Sequence, residues 1–150
     1  MSYKKIKSHK LTEEELRGIW KTTYCDEEKP IFTFDSIHVI FRESMFDHVF
    51  YESHDRKRRD KSIFSLNRCQ KILWIKDTLE DSTAILKQGW DRDAKKYIKN
   101  RRVAFVKNNY IVIIQFISKK MARFISAYEM QGEENIAKIL GSPDWEGFEE

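Results

Sequence analysis

Histidine and arginine are the residue types in this chain whose positions could do chemistry. The histidines are His9, His38, His48 and His54, and an imidazole can accept or donate a proton near neutral pH. His48 lies in MFDHVFYES, whose apolar spacing is helical, and is the candidate acid or base, with a structural role as the alternative. His38 lies in an apolar run, which favours the core, and His54 opens a charged loop and could contact a phosphate.

Motifs for other chemistries are missing from the sequence. No HExxH, paired CxxC or aspartate cluster suggests a metal, and no GxGxxG or GxxxxGK[ST] suggests a nucleotide cofactor. The nucleophile elbow GxSxG does not occur, and Cys25 and Cys69 alone cannot make a disulfide framework or a zinc site. If the protein is an enzyme, we therefore expect a cofactor-free, metal-independent reaction that uses histidine and arginine.

Basic residues are concentrated in two zones of the chain. The net charge is +4, but residues 91–131 hold ten basic and three acidic side chains, and residues 56–61, which include Arg58 and Arg59, are also strongly basic. Such zones favour a polyanion such as RNA or DNA, with a solvated surface as the alternative. No apolar run approaches the roughly 20 residues of a membrane span, so we expect no membrane partner and a cytoplasmic protein.

Length and composition indicate one folded domain. The chain has 150 residues, 41% of them hydrophobic and 13% aromatic, which is enough for one packed core. We expect a single domain over residues 1–150 with its core at about 31–140. A basic arm would occupy residues 1–11, and an acidic tail residues 141–150.

The first half of the chain has mainly helical patterns. Thr12 followed by Glu15 is a capping box and predicts a helix over about 12–21. Apolar spacing predicts a second helix over 44–52 and an amphipathic helix over 62–79. Residues 31–34 and 37–41 alternate like short strands.

The second half is typical of an antiparallel meander. Residues 103–106, 110–117 and 123–128 are rich in β-branched and aromatic side chains, and residues 96–98 could add a fourth strand. A closing helix is predicted over 132–140. The predicted fold class is α+β, with N-terminal helices packed on a C-terminal antiparallel sheet of about four strands.

The loop lengths predict the register of this meander. A two-residue loop at 108–109 and a three-residue loop at 118–120 align Arg102, Gln115 and Arg123 in a row on one face. Two guanidinium groups on a rigid sheet could bind a phosphate, whereas the alternative is solvent-facing arginines with a locally bonded Gln115. The opposite face is bulkier, so it should pack on the helices, and the same register puts Ser126 there.

Four segments carry a resemblance to a known group. FDHVF, FSLNRCQKILWI, YIVIIQFI and ARFISAY, in this order over about residues 37–129, resemble the phage and prophage branch of the barnase–EndoU–colicin–RelE group of small nucleases. The resemblance implies helices before a four-stranded antiparallel sheet. It also implies metal-independent RNA cleavage by attack of the ribose 2′-hydroxyl. It would make His48 the acid or base, Arg123 the phosphate ligand, and Ser126 and Arg68 further site residues.

The combined expectation is a toxin-like RNA endonuclease that acts on transfer or messenger RNA, and an antitoxin or immunity protein could accompany it. Its expected catalytic residues are His48, Arg102 and Arg123. Its expected substrate-binding residues are Arg58, Arg59, Arg68, Arg101, Gln115 and Ser126. Tyr97 and Tyr128 are candidates for a second proton carrier. The alternative is a non-catalytic module that binds nucleic acid or protein, with the tail residues Trp145 and Phe148 as its anchor.

Overall fold

The computed structural model describes residues 3–52, 63–91, 95–97 and 102–146. The helices in these residues are a 3-10 helix (Ser8–Lys10), α1 (Glu13–Tyr24), α2 (Met45–Phe50), α3 (Leu66–Cys69), α4 (Trp74–Glu80) and α5 (Glu133–Leu140). The strands are β1 (Ile31–Phe32), β2 (His38–Ile40), β3 (Tyr51–Glu52), β4 (Ile63–Phe64), β5 (Ile85–Gln88), β6 (Trp90–Asp91), β7 (Lys96–Tyr97), β8 (Arg102–Lys107), β9 (Tyr110–Ser118) and β10 (Met121–Glu129). The α+β class is confirmed.

The central sheet is larger than predicted and has mixed strand directions. Its six described strands have the order β1–β2–β10–β9–β8–β5. Strands β8, β9 and β10 form the predicted antiparallel meander, but β2 runs parallel to β10. The fourth strand next to the meander is β5, whereas β7 pairs with β6 in a separate two-stranded sheet. The extra strands satisfy the outer backbone groups of β8 and β10, which an isolated meander would leave unpaired.

One face of this sheet, here called the core face, packs against the helices as predicted. Its residues include Val103, Ile114 and Phe124, which share one buried cluster with Trp20 of α1. Helix α1 begins at the predicted capping box, in which Thr12 accepts a hydrogen bond from the Glu15 amide and the Glu15 carboxylate accepts one from the Thr12 amide. The large aromatic side chains of this cluster therefore join α1 and α2 to the sheet.

The predicted helix over 62–79 is wrong. The segment begins with β4, continues into the one-turn helix α3, and passes through turns before α4 begins. The N-terminal arm explains the break, because the Ile6 amide donates to the Gln70 carbonyl and the Ser8 hydroxyl donates to the Leu66 carbonyl. In a continuous helix the Gln70 carbonyl would accept an intrahelical hydrogen bond instead, whereas the Leu66 carbonyl accepts the Gln70 amide as well as the Ser8 hydroxyl.

The arm is anchored at its first described residue by an acidic side chain. The Tyr3 hydroxyl donates to the buried carboxylate of Asp81 at 2.8 Å, and Lys107 lies 3.5 Å from the same carboxylate. The Thr83 amide and hydroxyl donate to its other oxygen at 2.9 and 2.6 Å. Hydrogen bonds from Thr83, assisted by those from Tyr3 and by the charge of Lys107, lower the pKa of Asp81 to about 2.

Acid should therefore destabilise the protein through Asp81. Because the folded pKa is below the unfolded value near 3.9, the stabilisation is complete above about pH 5 and is lost as the pH falls toward 2. The expected loss is about 2 kcal/mol of unfolding free energy. Urea unfolding at pH 7 and pH 2 should show this loss for the wild type and little of it for Asp81→Asn. An Asp144→Asn control should behave like the wild type, and an equal pH response of Asp81→Asn and wild type would contradict the assignment.

Within the described residues, no helix has both the length and the apolar character needed to cross a membrane.

Candidate functional site

The predicted row of Arg102, Gln115 and Arg123 is present on the sheet. Arg102 pairs with Gln115 across β8 and β9, and Gln115 pairs with Arg123 across β9 and β10. Because directly paired residues point to the same face, the three side chains share the face opposite the core, here called the outer face. The Arg102 Nη1 donates a long hydrogen bond of 3.4 Å to the Gln115 Oε1.

The second hairpin reaches this register by a different route from the predicted one. Its loop has two residues, since Met121 pairs with Ser118, and an irregularity between Met121 and Ala122 then shifts the pairing by one residue. The shift restores the pairing of Arg123 with Gln115. The predicted three-residue loop at 118–120 is therefore wrong in detail, while the row that it predicted is confirmed.

A second irregularity moves Ser126 to the outer face. The pairing shifts between Phe124 and Ser126, so Ile125 is an extra residue and Ser126 pairs with Ile113. Since Ile113 shares a face with Gln115, the predicted location of Ser126 on the face opposite Arg123 is wrong. A β-bulge inverts the alternation of side chains after it, and nothing in the sequence around Ile125 marks it.

The arginines of the row differ in their surroundings. Arg123 is exposed, and its side chain makes no hydrogen bond or ion pair with the described part of the chain. Arg102 is half-buried, and its side chain lies against Gly89, where a Cβ atom would be only 2.5 Å from the Arg102 Cγ. The Gly89 amide also donates to the Arg102 carbonyl at 2.8 Å. Because Gly89 has no side chain, the aliphatic stem of Arg102 can lie against the backbone directly after β5.

Helix α5 covers the other half of the outer face. Its residues Ile136 and Ile139 pack on a buried cluster formed by Ala104, Val106, Ile111, Ile113 and Met130. The half that holds the row is therefore the more accessible one. Exposed Lys119 and Lys120 form the adjacent hairpin loop, so they add positive charge at one end of this half.

His38 is the functional candidate that the sequence argument missed. It is half-buried rather than in the core, and it pairs with Met121, two residues along β10 from Arg123. Its ring centroid lies 5.3 Å from that of exposed Phe32. Burial alternates along β2, where buried Val39 separates the half-buried His38 and Ile40, but the sequence alone does not show this alternation.

His48 and Arg68 lie on the other side of the sheet. His48 is exposed on α2, and α2 packs on the core face through Phe46, Val49 and Phe50. Arg68 donates from Nη1 to the Val49 carbonyl at 3.3 Å, near the end of the same helix. The structure therefore does not bring the expected histidine and Arg68 together with the row.

The remaining expected residues have varied positions. Tyr128 pairs with Ile111 and is on the outer face, and Tyr97 is in β7. Trp145 is not an exposed anchor, because it is half-buried and its ring stacks on Phe116 at 5.3 Å. The acidic tail there pairs with β5, where Asp144 forms an ion pair with Lys87. His54, Arg58, Arg59, Arg101 and Phe148 lie outside the described residues.

Thiol chemistry has no support in the structure. Burial raises the pKa of Cys69 to about 12 and that of Cys25 to about 11, so both are protonated at neutral pH.

In the part of the chain that the structure describes, no group of three His, Cys, Asp or Glu side chains could hold a metal ion. The candidate site is therefore the half of the outer face that no described helix covers, with Arg102, Gln115, Arg123 and His38.

Comparison of the chain with protein-family models, with curated proteins and with solved structures found no match.

Proposed function

We propose that this protein is a metal-independent, toxin-like RNA endonuclease that binds its substrate on the outer face of the sheet. The observation that carries the proposal is the row of Arg102, Gln115 and Arg123 on an accessible part of that face. The two arginines are separated by two strand spacings, about 10 Å between Cα atoms. Their long side chains can converge from this separation on one phosphodiester, to which guanidinium groups bind bidentately.

The proposed reaction is an internal transfer at phosphorus. The ribose 2′-oxygen loses its proton and attacks the adjacent phosphorus, and the bond from phosphorus to the 5′-oxygen breaks. The products are a 2′,3′-cyclic phosphate and a 5′-hydroxyl, which receives a proton. Arg102 and Arg123 would stabilise the negative charge that builds on the phosphoryl oxygens in the transition state.

His38 is the proposed proton carrier in place of His48. Because His38 and Arg123 share the outer face of the sheet and lie two residues apart in register, an RNA phosphate at Arg123 is within reach of the imidazole. Ser126, on the same face and further along β10, is the proposed hydrogen-bond donor to the sugar or phosphate. His48 is on the helix behind the sheet and has no role in this proposal.

The order of elements supports a relation to the barnase–EndoU–colicin–RelE group of nucleases. In the described residues, the α-helices α1–α4 precede the β8–β9–β10 meander, as the resemblance implies, and α5 covers only part of the outer face of the meander. A cellular inhibitor, such as an antitoxin or immunity protein, would be needed by a nuclease that acts on the RNA of its own cell.

The test is incubation of purified protein with total RNA and with transfer RNA in EDTA, followed by analysis of the product ends. We expect cyclic-phosphate ends with the wild type and with His48→Ala, and none with His38→Ala. Loss of cleavage in His48→Ala alone would overturn the assignment of His38. RNA that stays intact with the wild type would overturn the nuclease function.

A second candidate function is RNA binding without cleavage. It is favoured by the separation of His48 from the row, because the histidine implied by the resemblance cannot serve a phosphate bound there. In that case the same incubation would leave the RNA intact while a gel-shift experiment shows a complex. Arg102 and Arg123 would then bind the phosphates of the RNA backbone, and the backbone would not be cleaved.

Gly89→Ala should weaken the site without touching any polar group. The new Cβ atom would meet the Arg102 Cγ at 2.5 Å, so the arginine stem must leave its present position, from which it hydrogen-bonds to Gln115. We expect RNA cleavage or binding to fall by about 10-fold or more, since small displacements of positioning groups carry such losses. Gly18→Ala is the matched control, because no atom lies within 4 Å of its added Cβ. Equal RNA activity of the two variants would contradict the positioning role.

A further inference from the structure

We propose that Phe32 and His38 form a stacking platform for a nucleobase and that this platform selects single-stranded RNA. The inference rests on the proposed RNA site and names its substrate class. Neither residue was expected to contact a ligand from the sequence. Both lie on the two short strands that extend the outer face beyond the meander.

The pairing of the strands puts both rings on the outer face. Phe32 pairs with His38 across β1 and β2, and their chain neighbours Ile31 and Val39 pair with each other and are buried in the core. The two ring centroids are 5.3 Å apart with an angle of 33° between the planes. Phe32 is 46% exposed, which is unusual for a large aromatic side chain in a sheet with a core to fill.

The platform adjoins the row of arginines. His38 pairs with Met121, and Ile40 pairs with Arg123, so platform and row lie two residues apart along the strands, or about 7 Å. One nucleotide could therefore place its phosphate on Arg123 and its base on the two rings. The His38 amide donates to the Lys120 carbonyl at 3.0 Å, which ties the basic hairpin loop to the same edge.

This combination of groups fits a single strand better than a duplex. Aromatic side chains bind the flat faces of bases, and in a duplex neighbouring bases cover those faces. The arginine and lysine side chains attract the phosphate backbone of single strands and of duplexes alike. The preference for a single strand must therefore come from the aromatic rings. An imidazole stacks through its ring face and transfers protons through its ring edge, so this role is compatible with the proton transfer proposed for His38.

The test compares two forms of one RNA by fluorescence anisotropy. The probes are a labelled 2′-O-methyl RNA decamer, which lacks the attacking hydroxyl, and its duplex with the complementary strand. For Phe32→Ala we expect about 10-fold weaker binding of the single strand, with duplex binding unchanged. Phe32→Trp should restore binding of the single strand, because it keeps a stacking surface.

The matched control is Phe34→Ala. Phe34 is 39% exposed and is two residues away, but its ring packs edge-on against the core residue Phe105. This variant should bind the single strand like the wild type, and thermal unfolding should show that the Phe32 variants are folded. Wild-type affinity in Phe32→Ala, or equal losses for single strand and duplex, would overturn the platform.

The outcomes also separate this inference from the proposed nuclease function. Cleavage by the wild type with no effect of Phe32 on single-strand affinity would overturn the platform alone. Selective single-strand binding that depends on Phe32, without any cleavage, would overturn the nuclease and leave the platform in place. A wild type that binds neither probe would overturn the platform, and if it also leaves total RNA and transfer RNA intact, the nuclease function falls with it.

Discussion

Replacing Arg123 by alanine is expected to lower the rate of RNA cleavage by about 10²–10³-fold, the usual effect of removing one group that stabilises transition-state charge. Arg123 is exposed on the outer face beside Gln115, so its guanidinium is available to a phosphate. Because it contacts no described side chain through a hydrogen bond or ion pair, the unfolding free energy should change by less than about 0.5 kcal/mol. The rate is measured under single-turnover conditions, and stability by urea unfolding.

Two further variants define what Arg123 contributes. Arg123→Lys keeps the charge but not the planar fork, so it should recover only part of the lost rate. Lys21→Ala removes an exposed cation from α1, on the other side of the sheet, and should cleave like the wild type. A wild-type rate in Arg123→Ala would contradict the role of the row, and an equal loss in Lys21→Ala would indicate a general charge effect.

The second large effect is expected at Trp20, the centre of the core. Its side chain is 1% exposed, and its ring lies 4.7–6.5 Å from the rings of Tyr24, Phe41, Phe46, Phe50 and Phe124. Its indole nitrogen donates to the Arg42 carbonyl at 3.1 Å. Trp20→Ala should therefore lower the unfolding free energy by about 3–5 kcal/mol, through the cavity and the orphaned carbonyl.

The comparison for this variant is Trp74→Ala in α4. Trp74 is half-buried, and its indole donates to the Lys4 carbonyl at the edge of the molecule, so its removal should cost less. Urea unfolding at neutral pH measures both. A smaller loss for Trp20→Ala than for Trp74→Ala would contradict the central position of Trp20.

Local signals predicted the parts of the fold that depend on neighbouring residues. The capping box at Thr12 and the two-residue loop at 108–109 lie within the segments that they organise, and both are confirmed. The first hairpin transmits its register along β8 and β9, which is why the pairing of Arg102 with Gln115 could be predicted. Arg123 joins the row because the irregularity after Met121 offsets a loop that is one residue shorter than predicted.

Features that depend on distant contacts could not be read from the sequence. The apolar pattern of 62–79 fits a helix, but the Ile6 amide of the arm donates to the Gln70 carbonyl that such a helix needs. The bulge at Ile125 has no sequence marker, so Ser126 was assigned to the wrong face. His38 was missed because a three-residue strand is too short for its alternation to be distinguished from a core run.

The parallel pairing of β2 with β10 has a consequence for biosynthesis. It joins residues 38–40 to residues 121–123, so this half of the sheet depends on contacts between residues that are far apart in the sequence. Closing so long a loop costs conformational entropy, and we therefore expect this pairing to form late in folding. The meander can form from local contacts alone, whereas Phe32 and His38 reach Arg123 only when β2 docks on a strand near the C-terminus. A chain still emerging from the ribosome therefore lacks the complete outer face. Products truncated before β10 should show no RNA binding or cleavage at this face, however long they persist.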